Sequence, residues 1–415
     1  MADRLGVELA TVYAYASRGA LTRIPAGDGR RSTYDADQVE ALARRARPRS
    51  ARRRIAAVDV VIGTTVSEIG DGWIRYRGID LLDLAGAHDF ASVCALLWTG
   101  ALGDPDRRAS EDAIGATGSA SPTAIDAAVR RATDALPEGA PVRARLAVGA
   151  AVASALLASG PGDAPATATS HLPAHTGALI VDALIASLPS RPPEPAEATK
   201  TSGPPVRFAA AARRLWPRIS PLPVTDARAR ALDLALVLLA EHELATSTLA
   251  ARVAASTGAA PAEIVQAGLG AVSDPLHGRA AVRVHAHLRG RCPTPLDAPT
   301  CTIGEGLGHV VHRSGDPRFA PLLAAARSIA TPAQRRRIDE AMAVDPTGPP
   351  PNVDAALGAL ALAARAEVGA TEAIFAIART AGWLAHGWEE ADEAPLRFRG
   401  RTLHRGPHSG DRRTR

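Results

Sequence analysis

Apolar positions along the 415-residue chain change period several times, and each change marks a predicted element. Near the start, Val7, Leu9, Val12, Tyr13 and Ala16 give an apolar and aromatic pattern that stops at Gly19, which predicts a short helix, a turn and a second helix. Residues 21–24 and 32–34 flank a Gly27-Asp28-Gly29 turn and predict a two-stranded wing. A further helix with an acidic first turn is predicted from Asp35 to Leu42. Residues 60–80 alternate short apolar runs with Gly turns, the pattern of a small hairpin. From 81 onward the pattern is mainly helical, with an Ala-rich core helix at 146–158, long Ala/Leu helices over 226–270 and further helices at 353–390. The stretch 160–206 is rich in Pro, Ala, Ser and Thr, and 190–205 within it is predicted to be a surface loop. The fold class expected is mainly α.

Composition adds that this is a globular chain with room for two or three domains, at 46% hydrophobic and 22% charged residues. The formal charge of +5 is unevenly placed. Residues 1–54 carry 12 Arg against six acids, and residues 397–415 carry seven Arg against Asp411 alone, so the middle of the chain is acidic. Lys200 is the only lysine, which confines any Schiff-base chemistry to one Pro-rich stretch. Cys94, Cys292 and Cys301 are too few and too unevenly spaced for a disulfide framework. No run reaches the roughly 18 apolar residues of a membrane span, and the first residues lack an apolar signal core. A cytoplasmic protein with no membrane association is the expectation.

The opening string LGVELATVYAYASRGALTR, followed by RRSTYDADQVEAL, resembles the winged helix-turn-helix of MerR-type regulators. That resemblance implies a unit over 1–45 that binds DNA, with Thr11, Tyr13, Arg18, Arg30 and Arg31 as candidate contacts. The other reading is an Arg-rich solvated adaptor. An Arg-rich, Pro-broken linker follows over 46–55.

Polar chemistry elsewhere must come from His, Arg and carboxylates. The strings that stand out are His242-Glu243-Leu244 with Ser247-Thr248, Pro275-Leu276-His277-Gly278, Gly306-Leu307-Gly308-His309 with Arg313 and Asp316-Pro317-Arg318, and Pro351-Asn352-Val353-Asp354. Ala378-Arg379-Thr380-Ala381-Gly382-Trp383 and Leu396-Arg397-Phe398-Arg399 follow. Two histidines lie beside Gly, where backbone approaches a ligand closely. Arg318, Arg379 and Arg397 suit bidentate grip on carboxylates, and Asp354 suits a base. Such a set fits a small polyanionic substrate and a proton-transfer step.

These strings, in this order, resemble the citrate synthase family over about 58–405. The spacings are coherent, with 35 residues from His242 to His277, 45 from His309 to Asp354 and 25 from Asp354 to Arg379. The resemblance implies a large helical domain over 56–275 and 369–405, a small one over 276–368 and a basic tail over 406–415. It implies condensation of acetyl-CoA or propionyl-CoA with oxaloacetate, with no permanently bound cofactor, in a homodimer. By position, Asp354 would remove the methyl proton, His277 would stabilise the enolate and His309 would polarise the oxaloacetate carbonyl. His242, Arg318 and Arg379 would hold carboxylates, Arg397 would reach in from the second subunit, and Arg313 would meet CoA phosphates.

Four positions depart from the family pattern. Asp274 stands where Gly precedes Pro-Leu-His, Arg279-Ala280-Ala281 replaces Gly-Ala-Asn, and Ala245 replaces an Asn. They leave room for a second function class, a synthase-like metabolite sensor with weakened catalysis, coupled to the DNA-binding unit. The pairs His171/His175, His285/His287 and His309/His312 lack a third ligand at metal spacing, so no metal is expected. His386 is expected to be a hydrogen-bonded core residue, and Trp383 and Trp388 to pack in the core or an interface.

Overall fold

The computed structural model describes residues 23–25, 32–34, 60–102, 122–158, 173–190, 209–272, 280–290, 303–343 and 347–399. The chain divides into two compact units, Met1–Gly63 and Thr64–Arg415. In the first, β1 (Arg23–Pro25) and β2 (Ser32–Tyr34) pair antiparallel, with Arg23 opposite Tyr34 and Pro25 opposite Ser32. This hairpin falls where the wing is predicted. The flanking helices, the candidate DNA contacts and the linker lie outside the described residues.

The second unit opens with β3 (Ser67–Gly70), β4 (Trp73–Tyr76) and β5 (Ile79–Asp80), an antiparallel sheet in the order β3-β4-β5. The predicted hairpin is thus the first two strands of three. Its turn needs glycine twice. A Cβ on Gly70 would lie 2.3 Å from the Trp73 indole, and Gly72 has φ +84°.

Helices follow: α1 (Leu81–Ala87), α2 (Phe90–Thr99), α3 (Pro122–Asp134), α4 (Val142–Ala158), α5 (Pro173–Ala186) and α6 (Ala210–Ile219). Next come α7 (Asp226–Leu239), α8 (Thr246–Ala255), α9 (Pro261–Val272) and α10 (Ala280–Leu288). A 3₁₀ turn at Ile303–Gly306 leads to α11 (Phe319–Ile329), α12 (Pro332–Met342), α13 (Val353–Ala363) and α14 (Ala370–Ala391). The Ala/Leu run over 226–270 is therefore three helices. Glu243 at φ +50° and Gly258 at φ +80° turn the chain between them, and Pro261 starts the third. No described helix is long and apolar enough to cross a membrane.

The core gathers around α14. This 22-residue helix is buried on nearly every side and packs against α2, α4, α5, α7, α8, α9, α10 and α13. A helix enclosed in this way is expected to be apolar all round. Its buried Arg379, His386 and Glu390 break that rule and mark it as more than packing. Trp383 is fully buried on it, against Gly268 of α9, while Trp388 meets Trp98 of α2 edge to face at 5.8 Å. A second cluster joins α10, α11 and α13 with the 3₁₀ turn, and it carries the loop 307–318.

Candidate active site

Four pieces of the second unit meet: the loop between α7 and α8, the loop 307–318, the start of α13 and the middle of α14. The first is held by β4. The Tyr76 hydroxyl donates to the Glu241 carbonyl at 2.9 Å and accepts the Glu241 N–H at 3.1 Å. The Glu243 carboxylate accepts the Ile69 N–H at 3.1 Å, which fixes His242 between two anchored neighbours.

Asn352 organises the second and third pieces together. Its Oδ1 caps α13 by accepting from the N–H groups of Asp354 (2.9 Å) and Ala355 (3.4 Å). Its Nδ2 donates to the Gly308 carbonyl at 2.8 Å, and its backbone N–H donates to the Gly306 carbonyl at 2.8 Å. Gly308, at φ +72°, donates in turn to the Pro350 carbonyl at 2.7 Å. One side chain therefore ties the residue before His309 to the first turn of the helix that bears Asp354.

Three imidazoles converge here. The ring centroids of His242 and His309 are 5.0 Å apart, those of His242 and His312 5.4 Å, and those of His309 and His312 4.7 Å. His309 Nδ1 accepts from the N–H groups of Val311 (3.1 Å) and His312 (3.2 Å). Its proton therefore sits on Nε2, which makes His309 a neutral donor. Burial, helped by the charge of Arg318, lowers the His309 pKa to about 4. Burial and then Arg318 and Arg379 hold His242 well below the ordinary histidine value. Burial also lowers His312. All three rings are neutral near pH 7.

The arginines differ in their commitments. Arg318 is buried and gives its Nε and Nη2 to the two oxygens of Asp316, at 2.9 and 2.8 Å. Asp316 also accepts the Val353 N–H at 3.0 Å. Burial pushes the Asp316 carboxyl up, but the Arg318 guanidinium and these hydrogen bonds outweigh it and hold the pKa at about 2. Arg379 is buried on α14, donates Nε to the Leu239 carbonyl at 2.9 Å and lies over the Phe375 ring at 4.7 Å. Burial lowers its pKa, Glu241 opposes that, and both Arg318 and Asp354 lie within its electrostatic reach. Arg313 is exposed on the same loop as His309. Arg397 stands apart, paired with Glu390 through Nε and Nη2, each at 2.6 Å. His277, with Asp274 and Arg279, lies outside the described residues.

Glu241 has no signal in the sequence read alone, and His312, Asp316 and Asn352, though they lie in or beside the strings singled out, act through partners that only the fold supplies. The expectation that His309/His312 lacks a third metal ligand also meets a tertiary fact, because His242 comes from 67 residues upstream to within metal-binding distance. Among the described residues this is the group so spaced. A metal on His309 Nε2 would drive that proton to Nδ1, against two N–H donors, so the ring suits hydrogen bonding better than ligation. The arrangement offers a fixed neutral donor, two cations and a half-buried carboxylate, which suits polarising a carbonyl next to carboxylates and moving a proton.

Comparison with known proteins matches residues 54–399 to the citrate synthase C-terminal domain. The chain belongs to the citrate synthase family. It is 33% identical over 203 residues to the citrate synthase of Saccharolobus solfataricus, covering 45% of this chain and 54% of that one. It is 30% identical over 197 residues to that of Synechocystis, covering 44% and 49%. The chain thus spans about half the length of the curated relatives it matches. Its fold is shared with the citrate synthase of Thermoplasma acidophilum, solved as a ternary complex with carboxymethyl coenzyme A and oxaloacetate, at TM-score 0.64 and 21% identity over 86% of this chain and 96% of that one. The Pyrobaculum aerophilum citrate synthase gives 0.61 at 22% identity over 84% and 91%.

Proposed function

We propose that this chain condenses acetyl-CoA, or propionyl-CoA, with oxaloacetate and water to release CoA and citrate, or 2-methylcitrate. It needs no resident cofactor. The observation that carries this reading is the neutral Nε2–H of His309, fixed by two backbone donors within the field of the buried Arg318. A donor so placed polarises a ketone carbonyl while Arg318, Arg379 and His242 hold the flanking carboxylates.

Asp354, at the capped start of α13, takes the methyl proton of the thioester. His277 stabilises the enolate oxygen as charge develops, and the nucleophilic carbon then attacks the carbonyl held by His309. Arg313 meets the CoA phosphates from its exposed place on the same loop. Water finally cleaves the condensed thioester. In this reading the chain works as a cytoplasmic homodimer in which Arg397 serves the partner's site. Glu390 holds Arg397 at present, so that service requires the pair to open. Residues 1–45, with the paired β1 and β2 in the wing position, form a unit suited to DNA.

The test is release of CoA thiol from either thioester in the presence of oxaloacetate. Asp354→Asn should lower turnover by at least roughly a hundredfold and leave oxaloacetate binding near that of the parent chain. Substantial turnover in that variant would remove Asp354 as the base. No turnover by the parent with either thioester, together with salt-sensitive DNA binding, would favour the metabolite sensor.

A further inference from the structure

His312 has no part in the chemistry above, yet it touches both of the other imidazoles of the site. Its backbone N–H donates to His309 Nδ1 at 3.2 Å. Its own Nδ1 lies 2.9 Å from the Gly70 carbonyl, and its Nε2 lies 3.2 Å from His242 Nε2. It is wholly buried. The turn that supplies the Gly70 carbonyl is pinned to the same loop, because Asp71 Oδ1 accepts from Ser314 N and Oγ, each at 2.9 Å.

The donor count at this junction has one solution for neutral rings. A carbonyl oxygen only accepts, so His312 carries its proton on Nδ1 and gives it to Gly70. The Gly72 N–H also approaches that nitrogen, but at 3.4 Å it is the longer contact. His312 Nε2 is then a lone pair, and the proton between the two rings belongs to His242 Nε2. The nitrogen left to His242 is Nδ1, which in the neutral ring is an acceptor and repels a carboxylate.

We propose that His312 is a positioning residue that fixes His242 as its Nε2–H tautomer, so that a dicarboxylate binds there only as His242 takes up a proton on Nδ1. This rests on the reading of His242 as a carboxylate ligand. The proton comes from solvent, and no bond other than N–H forms. In the resulting imidazolium, Nε2–H stays on His312 and Nδ1–H faces the ligand. The groups around the pair are Asp71 from the hairpin turn, His309, Asp316 and Arg318 from the loop, and Arg379 from α14. Arg318 is already matched by Asp316, whereas an arriving dianion adds two negative charges and tips the balance toward the imidazolium.

Two measurements on the full chain test this. Long-range ¹H–¹⁵N NMR of the histidine side chains, with no ligand, should show His242 protonated on Nε2 and His312 on Nδ1. Calorimetry with oxaloacetate in buffers of different ionisation enthalpy near pH 7.5 should then show uptake of about one proton. His312→Phe should abolish that uptake and flatten the pH dependence of oxaloacetate affinity. His312→Gln, which keeps a donor and an acceptor, should restore part of both. Binding by the parent without proton uptake, or an unchanged pH profile in His312→Phe, would overturn the proposal. If the tautomers are as stated but oxaloacetate does not bind, the coupling is refuted together with the proposed function, and only the hydrogen-bond geometry stands.

Discussion

Asp233 sits inside α7 with only one oxygen engaged. Its Oδ2 accepts the Phe90 N–H at 3.2 Å, while Oδ1 is buried with no hydrogen bond among the described residues. Burial, and then the charge of Asp89 at the cap of α2, push its pKa from 3.8 to about 7. The folded chain therefore holds a proton there that the unfolded chain has lost between these values. The stabilising neutral form is complete below about pH 4, declines as pH rises and is gone above about 7, a swing of roughly 4 kcal/mol. Melting at pH 5 and pH 8 should show Asp233→Asn losing this decline and exceeding the parent at pH 8. An Asn variant with the parent's pH slope would assign the slope to another group. Asp233 gives no sign of this in the sequence, where it is one acid in an Ala/Leu helix. The strings that single out His242, His309, Arg318, Arg379 and Asp354 are local, with Gly, Pro or Asn near His309, Arg318 and Asp354, and the structure brings these five within electrostatic reach of one another. The role of His312 was not legible, because its meaning depends on a carbonyl 242 residues away.

At the scale of elements, α14 and the loop after α7 approach so closely that one hydrogen decides the fit. A Cβ on Gly382 would lie 1.9 Å from Glu241 Oε2 and 2.8 Å from the Ala240 carbonyl. Glu241 cannot swing aside freely, since its Oε1 accepts from His386 Nε2 and Ser67 Oγ, each at 3.1 Å. Burial alone would raise its pKa, but His386, Arg379 and Ser67 hold it below the ordinary value. Gly382→Ala should therefore cost about 1–3 kcal/mol and disturb the His242 loop, lowering both the melting temperature and oxaloacetate affinity. Gly86→Ala in α1, where a Cβ meets nothing within 4 Å, serves as the control and should be neutral or stabilising. Equal stability in the two variants would show that the α14 approach is looser than the distances say. Helical periodicity located α14 but could not tell why Gly382 is there. The several helices expected over 226–270 are three, but composition alone does not mark where they end, because it stays Ala/Leu-rich through the turns that the backbone angles at Glu243 and Gly258 make.

At the scale of the molecule, a buried ionic network joins distant parts of the chain. Arg252 of α8 is fully enclosed and meets Glu390 through Nε at 2.8 Å, Glu389 through Nη1 at 2.8 Å and His386 Nδ1 at 2.6 Å. Glu390 also holds Arg397, while Glu389 accepts from Thr64 Oγ1 at 2.6 Å and from Thr65 N at 2.7 Å. Hydrogen bonds to Glu389 outweigh its burial and lower its pKa to about 2. Removing the cation leaves buried carboxylates without their partner, so Arg252→Leu should destabilise by about 3–5 kcal/mol, checked by denaturant unfolding. A loss below about 1 kcal/mol would mean that water replaces the guanidinium. His386 is thus the hydrogen-bonded core residue expected of it, although its partners lie 134 and 145 residues away and left no local trace.

The place of α14 at the centre of the core has a consequence for how the protein is made. Its packing neighbours, from α2 to α13, precede it in the chain and leave the ribosome first. They wait with their apolar faces uncovered, and Arg252 waits for its carboxylates, until residues 370–391 emerge. Thr64 and Glu389, 325 residues apart, close the circuit only then. Assembly of this core therefore waits for residues 370–391, and the nascent chain is most in need of a chaperone in the interval before that helix arrives.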